Sequence, residues 1–159
     1  MDSRSTYRQR LLPAPPRRRP ELSGTVQATH LGNDRFEIRV RQHRLQVDQP
    51  LSDGGDDTAP TPTELFISSL AACVAFYARR YLARHDLPTE GLAVDASFTM
   101  ASRPARVGEI TVHLELPVGV PEDKREALLA VASHCTVHNT LVTPPKITID
   151  LASAQSAAA

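Results

Sequence analysis

Two cysteines are the residues with the greatest chemical potential in this sequence of 159 residues. Cys73 lies in the apolar stretch SSLAACVAFYARRYL, and Cys135 lies in ASHCTVHNTL. A cysteine often serves as a small buried hydrophobe, but its thiolate is also a nucleophile that peroxides oxidise. From the residues alone, the two cysteines could be reactive thiols, metal ligands or inert core residues.

A zinc site is one alternative, because His134 and His138 lie within a helical turn of Cys135. Zinc sites use characteristic ligand spacings, and the chain has no second closely spaced pair of cysteines. The segment DGGDD, residues 53–57, likewise lacks the spaced ligands of a calcium-binding loop. We therefore expect no metal and no cofactor.

A glutamate and a group of arginines are further candidates for the site. Glu64 is the only acid in the first turns of the helix that carries Cys73, where it could also cap the helix. Nine positions separate it from Cys73, which places the two about 180° apart around the helix. A Cys73 thiolate would need a cation from elsewhere, and the arginines of the second strand are the available group. They are Arg35, Arg39 and Arg41; these three and Arg44 of the following strand could each equally be solvated.

Hydrophobic periodicity predicts an α+β domain over residues 24–151 in the order βββ-α-ββ-α-α-β. TVQATHL and RFEIRVRQ flank a GND turn, and HRLQVDQ follows as a third strand. A loop over 50–62 precedes a long helix over 62–85, for which Thr61 is the candidate cap. A second hairpin around RPAR, two helices and a final strand in PPKITIDL complete the prediction, with two small antiparallel sheet regions around the central helix.

The central helix is apolar nearly all round as far as Phe76, so it needs cover on several sides. Six short strands and one other long helix provide little of that cover, so we expect a homodimer that shares this core. The longest apolar run, Leu65 to Ala78, is shorter than a membrane span, which argues for a core helix and no membrane.

Composition narrows the function classes and the compartment. Lys and Arg number 18 and so do Asp and Glu, and the chain has no Trp, which disfavours nucleic-acid binding. Residues 1–23 contain PAPPRRRP and are predicted to be a disordered basic arm; residues 152–159, ASAQSAAA, are predicted to be a disordered tail. We find no secretory signal, so we expect a cytoplasmic protein in which a permanent disulfide is disfavoured.

The segments VDQPLSDGGDDTAPTPTELFISSLAACVAFYARRYL and ASHCTVHNTLVTPPKITIDL resemble the OsmC/Ohr family of thiol-dependent peroxidases. The resemblance covers residues 24–151. It implies an OsmC-like α+β fold, an intertwined homodimer and sites at the subunit interface. It also implies that Cys73 is the peroxidatic cysteine, that Cys135 is the resolving cysteine, and that a small or protein-bound dithiol reduces the resulting disulfide.

The resemblance further implies an Arg and a Glu near the reactive thiol, for which Arg35 and Glu64 are the nearest candidates. The family's Glu directly follows a Pro, and that position here is Thr63. The function implied is the reduction of organic hydroperoxides in defence against oxidative stress. One alternative is a dimer that binds a small hydrophobic ligand without efficient peroxidase activity. Another is a redox sensor in which oxidised Cys73 alters a partner contact.

Overall fold

The computed structural model describes residues 24–151, so the predicted arm and tail lie outside the described residues. Two small antiparallel sheets and three α-helices make up an α+β fold, as predicted. The elements are β1 (Val26–Gly32), β2 (Arg35–Val40), β3 (His43–Val47), α1 (Pro62–Arg84), β4 (Ala93–Ser102), β5 (Ala105–Glu115), α2 (Glu122–Ala132) and α3 (Thr136–Val142).

The first sheet has the order β1-β2-β3, and its apolar face is largely open. Ile38 pairs with Ala28 on one side and with Leu45 on the other, so these residues share one face, as the alternation predicts. Leu45 is nonetheless 50% exposed, and only Val47 is buried. Within residues 24–151 this sheet makes no extensive contact with the helices or the second sheet.

Helix α1 organises the core of the chain. Its N-terminus has the predicted Thr61 cap, and its buried residues recur every three or four positions on one side. That side packs on α2, α3 and the β4–β5 hairpin. The core cluster formed there includes Leu70, Val74, Ala78, Tyr81, Leu82, Val120, Leu128, Ala132 and Cys135.

The other side of α1 is uncovered in the single chain. Phe66 is 37% exposed and Phe76 is 52% exposed. By length and composition alone the helix would be long and apolar enough to cross a membrane, but its buried side forms the core of this domain. The expectation of burial on most sides is therefore met on one side only, because residues 24–151 contain no further element that covers the rest.

The predicted final strand is wrong for the single chain. Residues 144–151 form no strand, and Ile147, Ile149 and Leu151 are 76%, 89% and 101% exposed. Their alternation suits a strand, but a strand exists only where a neighbouring strand accepts and donates its backbone hydrogen bonds. No strand within residues 24–151 does so for this segment.

Candidate functional site

Packing of α3 against α1 brings the two cysteines to one place in the core. Cys73 lies in the middle of α1, is partly buried and packs against the cluster that contains Cys135. Cys135 is fully buried and is the N-cap residue of α3. Its Sγ accepts a hydrogen bond from the backbone N–H of His138 at 3.4 Å. Both cysteines are free thiols, and they differ in their access to solvent.

The surroundings of Cys135 favour its neutral thiol. Burial raises its pKa above the usual value, and hydrogen bonding with the Cys73 side chain and its charge raise the pKa further. The backbone N–H groups of His138 and Val137 act in the opposite direction, but burial is the largest influence. Cys73 and Cys135 therefore lie close enough for the charge of one to affect the protonation of the other.

An apolar cavity of about 300 Å³ lies in the same core region as the two cysteines, although neither cysteine lines it. Val74 of α1 and His138 of α3 border it, each close in sequence to one of the cysteines. The remaining lining comes from α1, β5, α2 and α3: Leu70, Ile110, Val112, Leu114, Leu129, Ala132, Ser133 and Leu141. The Nδ1 atom of His138 is hydrogen-bonded to the carbonyl of Ser133, so this cavity offers few free polar groups.

Glu64 has a structural role at the start of α1. Its carboxylate accepts a hydrogen bond from the backbone N–H of Thr61 at 2.7 Å, and its own N–H donates to the Thr61 hydroxyl at 3.2 Å. This reciprocal pair is a capping box. Glu64 lies about 14 Å along the helix axis from Cys73, at 1.5 Å per residue, so the structure does not bring it to the thiol of the same chain.

Arg35 lies at the start of β2, in the sheet that does not pack on α1. Its Nε atom is 3.7 Å from a carboxylate oxygen of Asp56, and this Nε is buried without a hydrogen-bond acceptor among the described residues. Arg39 and Arg44 instead both contact the Glu37 carboxylate on the same strand pair. Of these three arginines, Arg35 is the one whose donors are least satisfied, although it too is remote from Cys73 within the chain.

Asp48 is the buried polar residue that the sequence interpretation missed. It is fully buried, and its carboxylate accepts hydrogen bonds from the backbone N–H of Gln49 (2.8 Å) and from the N–H and hydroxyl of Thr58 (3.0 and 2.7 Å). These bonds, above all the one from the Thr58 N–H, lower the pKa of Asp48 to about 2 against the opposing effect of burial. Asp48 thereby closes the 50–60 loop that carries Asp56.

Within residues 24–151, no group of three or more His, Cys, Asp or Glu side chains is arranged to hold a metal ion. The Nδ1 atoms of His134 and His138 are bound to the backbone carbonyls of Ala130 and Ser133.

The sequence of the chain matches one protein family. Residues 54–150 match the sequence family described as "OsmC-like protein". None of the curated proteins compared with the chain has a significantly similar sequence.

Several solved structures share the fold. An osmotic stress induced and detoxification response protein from Psychrobacter arcticus is 22% identical, with a TM-score of 0.68 over 73% of this chain and 86% of its own. An organic hydroperoxide resistance protein OsmC from Legionella pneumophila is 21% identical, with a TM-score of 0.62 over 77% and 91%. An OsmC like protein from Mycoplasma pneumoniae is 18% identical, with a TM-score of 0.69 over 78% and 90%.

Proposed function

Because this chain belongs to the OsmC-like protein family, we propose that it reduces organic hydroperoxides through Cys73 and Cys135. The observation that carries the proposal is the convergence of a partly buried thiol on α1 and a fully buried thiol on α3. The organic hydroperoxide resistance protein from Legionella pneumophila, which shares the fold, supports the same reaction class.

In the first step, the Cys73 thiolate attacks the terminal oxygen of the hydroperoxide ROOH. The O–O bond breaks, the S–O bond forms, and the departing alkoxide takes a proton to give ROH, which leaves Cys73 as a sulfenic acid. In the second step, the Cys135 sulfur attacks the Cys73 sulfur and displaces water, forming a disulfide. A dithiol then reduces the disulfide by thiol–disulfide exchange and is itself oxidised to a disulfide.

The difference between the two environments supports these roles for the two cysteines. Cys73 is partly accessible, so a peroxide can reach it, whereas Cys135 is sealed from solvent. Because the pKa of Cys135 is raised, this thiol keeps its proton and can donate a hydrogen bond to the Cys73 thiolate. The apolar cavity beside the pair favours alkyl hydroperoxides over hydrogen peroxide, since each buried CH₂ contributes about 0.8 kcal/mol.

The experiment is intact-mass measurement of the reduced full-length protein after a brief pulse of cumene hydroperoxide. Wild type is expected to lose two hydrogens, or about 2 Da, as the disulfide forms. Cys135→Ser is expected to gain about 16 Da, because the sulfenic acid at Cys73 has no thiol to condense with. Cys73→Ser is expected to keep its mass.

Equal oxidation of Cys73→Ser and wild type would refute the assignment of Cys73. An unchanged wild-type mass at stoichiometric peroxide would refute peroxidase activity altogether. Hydrogen peroxide serves as the matched oxidant control, and it should react more slowly than the organic hydroperoxide.

A homodimer completes this proposal. The open face of the first sheet, the outer side of α1 and the exposed apolar residues of 144–151 are three apolar surfaces that the single chain leaves in water. A second copy would cover them and could bring its own Arg35 and Glu64 to the thiol. Light scattering coupled to size-exclusion chromatography tests this proposal, and a monomer of 17.4 kDa at micromolar concentration would contradict it.

The remaining partners follow from the same chemistry. A small or protein-bound dithiol is the expected reductant, because a monothiol would need two successive exchanges. We place the protein in the cytoplasm, where such dithiols are kept reduced, with no membrane or nucleic acid as partner. Fractionation of the source cells with an antibody against the chain tests the location.

A second function, the binding of a small hydrophobic ligand, is favoured by the cavity of about 300 Å³ beside Val74 and His138. Its lining is aliphatic except for Ser133 and His138. Val74→Trp would fill the cavity. If the protein is a binding module, this variant abolishes ligand binding, and Cys73→Ser leaves binding unchanged.

A further inference from the structure

A polar cavity of about 340 Å³ lies along the C-terminal half of α1, and the reaction proposed above makes no use of it. Five of its lining residues belong to α1 or its C-cap, and the sixth is Val131 of α2. The α1 residues are Tyr77, Arg80, Tyr81, Arg84 and His85. Two guanidinium groups, an imidazole and two phenols thus line the cavity, in contrast to the aliphatic lining of the cavity beside the cysteines.

The cations of this cavity are not neutralised within the described chain. None of the ion pairs formed among residues 24–151 involves Arg80 or Arg84. The Arg80 guanidinium carbon lies 5.4 Å from the ring centroid of Phe76, a cation–π contact that orients the group without cancelling its charge. The acid nearest in sequence is Asp86, which is exposed.

His85 is held in place by the same helix. Its ring stacks on Tyr81 with 4.2 Å between the centroids, and its Nδ1 is hydrogen-bonded to the Tyr81 carbonyl at 3.0 Å. Since a carbonyl only accepts, Nδ1 is the donor of this bond. The cavity is therefore lined by fixed aromatic walls and by two guanidinium groups that pair with no carboxylate among the described residues, which is the composition of a site for an anion.

The cavity begins one helical turn from the cysteine pair. Tyr77 and Arg80 are four and seven positions after Cys73, so all three lie on one side of α1. Long helical side chains lean towards the N-terminus, and the contact of Arg80 with Phe76 shows this direction. The Tyr77 hydroxyl is 3.1 Å from that of Thr136, the residue after Cys135. Residues 77–81 lie about 6 to 12 Å from Cys73 along the axis.

We infer that this cavity is an anion subsite, in which Arg80 and Arg84 bind the acidic group of an amphipathic acid whose other end reaches Cys73. A carboxylate suits the planar donor array of an arginine. By the helical rise, the Cα atoms of Arg80 and Arg84 lie about 10.5 and 16.5 Å along the axis from that of Cys73. Because their long side chains lean back towards the N-terminus, the site selects ligands with about 6 to 12 Å between the acidic group and the reactive end. The inference rests on the proposed reactivity of Cys73, but not on peroxide as the oxidant.

Maleimides with a carboxylate tail test the subsite without peroxide. The rate of Cys73 alkylation is measured in Cys135→Ser protein with maleimidoacetic, maleimidohexanoic and maleimidoundecanoic acids, each beside its methyl ester. At low salt we expect maleimidohexanoic acid to alkylate Cys73 about tenfold faster than its methyl ester does. This factor is at the lower end of the rate enhancements that electrostatic attraction produces. Maleimidoacetic acid is too short to reach the arginines, so the ratio of its alkylation rate to that of its ester should be smaller.

The test variant is the double variant Arg80→Met, Arg84→Met. Its control is Arg79→Ala, which removes an exposed arginine that does not line the cavity. The double variant should bring the acid-to-ester ratio to about one, and the ratio is the readout because the loss of two cations can also change the ester rate, whereas Arg79→Ala should keep the wild-type ratio. A ratio near one in wild type, or an unchanged ratio in the double variant, overturns the inference.

If no maleimide alkylates Cys73, thermal unfolding with octanoate and octanamide decides the question. Selective binding of octanoate raises Tm in wild type and not in the Arg80→Met, Arg84→Met variant. The same small shift with both ligands and both proteins would overturn the subsite. Failure of the mass experiment together with success here would remove the peroxidase and retain the anion subsite, so the two proposals fail separately.

Discussion

Gly55→Ala is expected to destabilise the loop between β3 and α1 more than any other single-methyl addition to its backbone. Gly55 is buried, and a Cβ there would lie 2.0 Å from the Gln49 carbonyl oxygen, 2.5 Å from its carbon and 2.8 Å from its Cα. Normal contacts of a methyl group are longer by an ångström or more, so about 1 Å of backbone movement is required. The neighbour is backbone, which cannot rotate away as a side chain can.

The movement would break two hydrogen bonds of the loop. The Asp57 N–H donates to the Gln49 carbonyl at 3.1 Å, and the Gly55 N–H donates to the Pro50 carbonyl at 3.2 Å. Each such bond contributes about 0.5–1.5 kcal/mol, and overpacking costs about 1–3 kcal/mol. The lower chain entropy of unfolded Ala returns about 0.4–1 kcal/mol. The net loss in free energy of unfolding is therefore about 1–6 kcal/mol, and about 3 kcal/mol at the centre of these ranges, if the loop unfolds with the domain.

The assay is urea denaturation of wild type, Gly55→Ala and Gly24→Ala. Gly24 is the matched control, because a Cβ added there meets nothing within 4 Å, and we expect it to change stability by less than about 0.5 kcal/mol. The loop carries Asp56, which holds Arg35, so Gly55→Ala should also slow Cys73 oxidation if Arg35 acts on the thiol. Stability of Gly55→Ala within about 0.5 kcal/mol of wild type would refute the described loop geometry.

Three further predictions concern Cys135, Asp48 and the start of α1. Cys135→Ser should lower the free energy of unfolding, measured by urea denaturation, by about 1–3 kcal/mol, because it places a hydroxyl in an apolar cluster. Cys73→Ser should lower it by less than about 1 kcal/mol, because Cys73 is only partly buried. Equal losses in the two variants would contradict the difference in burial. Asp48 has a pKa of about 2 in the folded protein and 3.8 in the unfolded chain, so the stability it contributes is complete above pH 3.8 and is lost as the pH falls towards 2. The urea midpoints of wild type and Asp48→Asn should therefore converge between these two pH values. A constant difference between the two midpoints would exclude the carboxylate as the cause. Glu64→Gln should keep the stability of wild type, because Gln also completes a capping box, whereas Thr61→Ala should lower the free energy of unfolding by about 1 kcal/mol. Slower oxidation of Cys73 in Glu64→Gln at unchanged stability would reveal a catalytic role for Glu64 beyond capping.

The helices and most strands were predictable from the sequence because their signals are local. Pro62 and Thr61 mark the start of α1, and alternation around the GND and RPAR turns gives two hairpins. The prediction of a strand in residues 144–151 was wrong because strand formation does not depend on local signals alone. A pattern such as Ile147, Ile149 and Leu151 shows which side chains would share a face, but whether a strand forms depends on an edge that another segment must provide.

The role of Asp48 could not be predicted from the sequence. Its main partner, Thr58, is ten residues away across a loop rich in Gly, Asp and Pro, and no periodic pattern links the two. A buried carboxylate is distinguished only by the donors that converge on it, and these donors are largely backbone N–H groups. The polar cavity along α1 was similarly hidden, because the spacing of Arg80 and Arg84 along the helix does not reveal that Val131 of α2 lies beside them.

The positions of the four predicted site residues indicate how an active site can be divided between copies. Cys73 and Cys135 meet within one chain, whereas Glu64 caps the far end of α1 and Arg35 lies in a sheet that does not pack on this helix. A rigid helix cannot bring Glu64 to Cys73 across about 14 Å. The same chain leaves the outer side of α1 and the face of the first sheet without cover. If Arg35 or Glu64 acts on the thiol, a second copy must supply it, and dimerisation would then be a condition of catalysis as well as of stability.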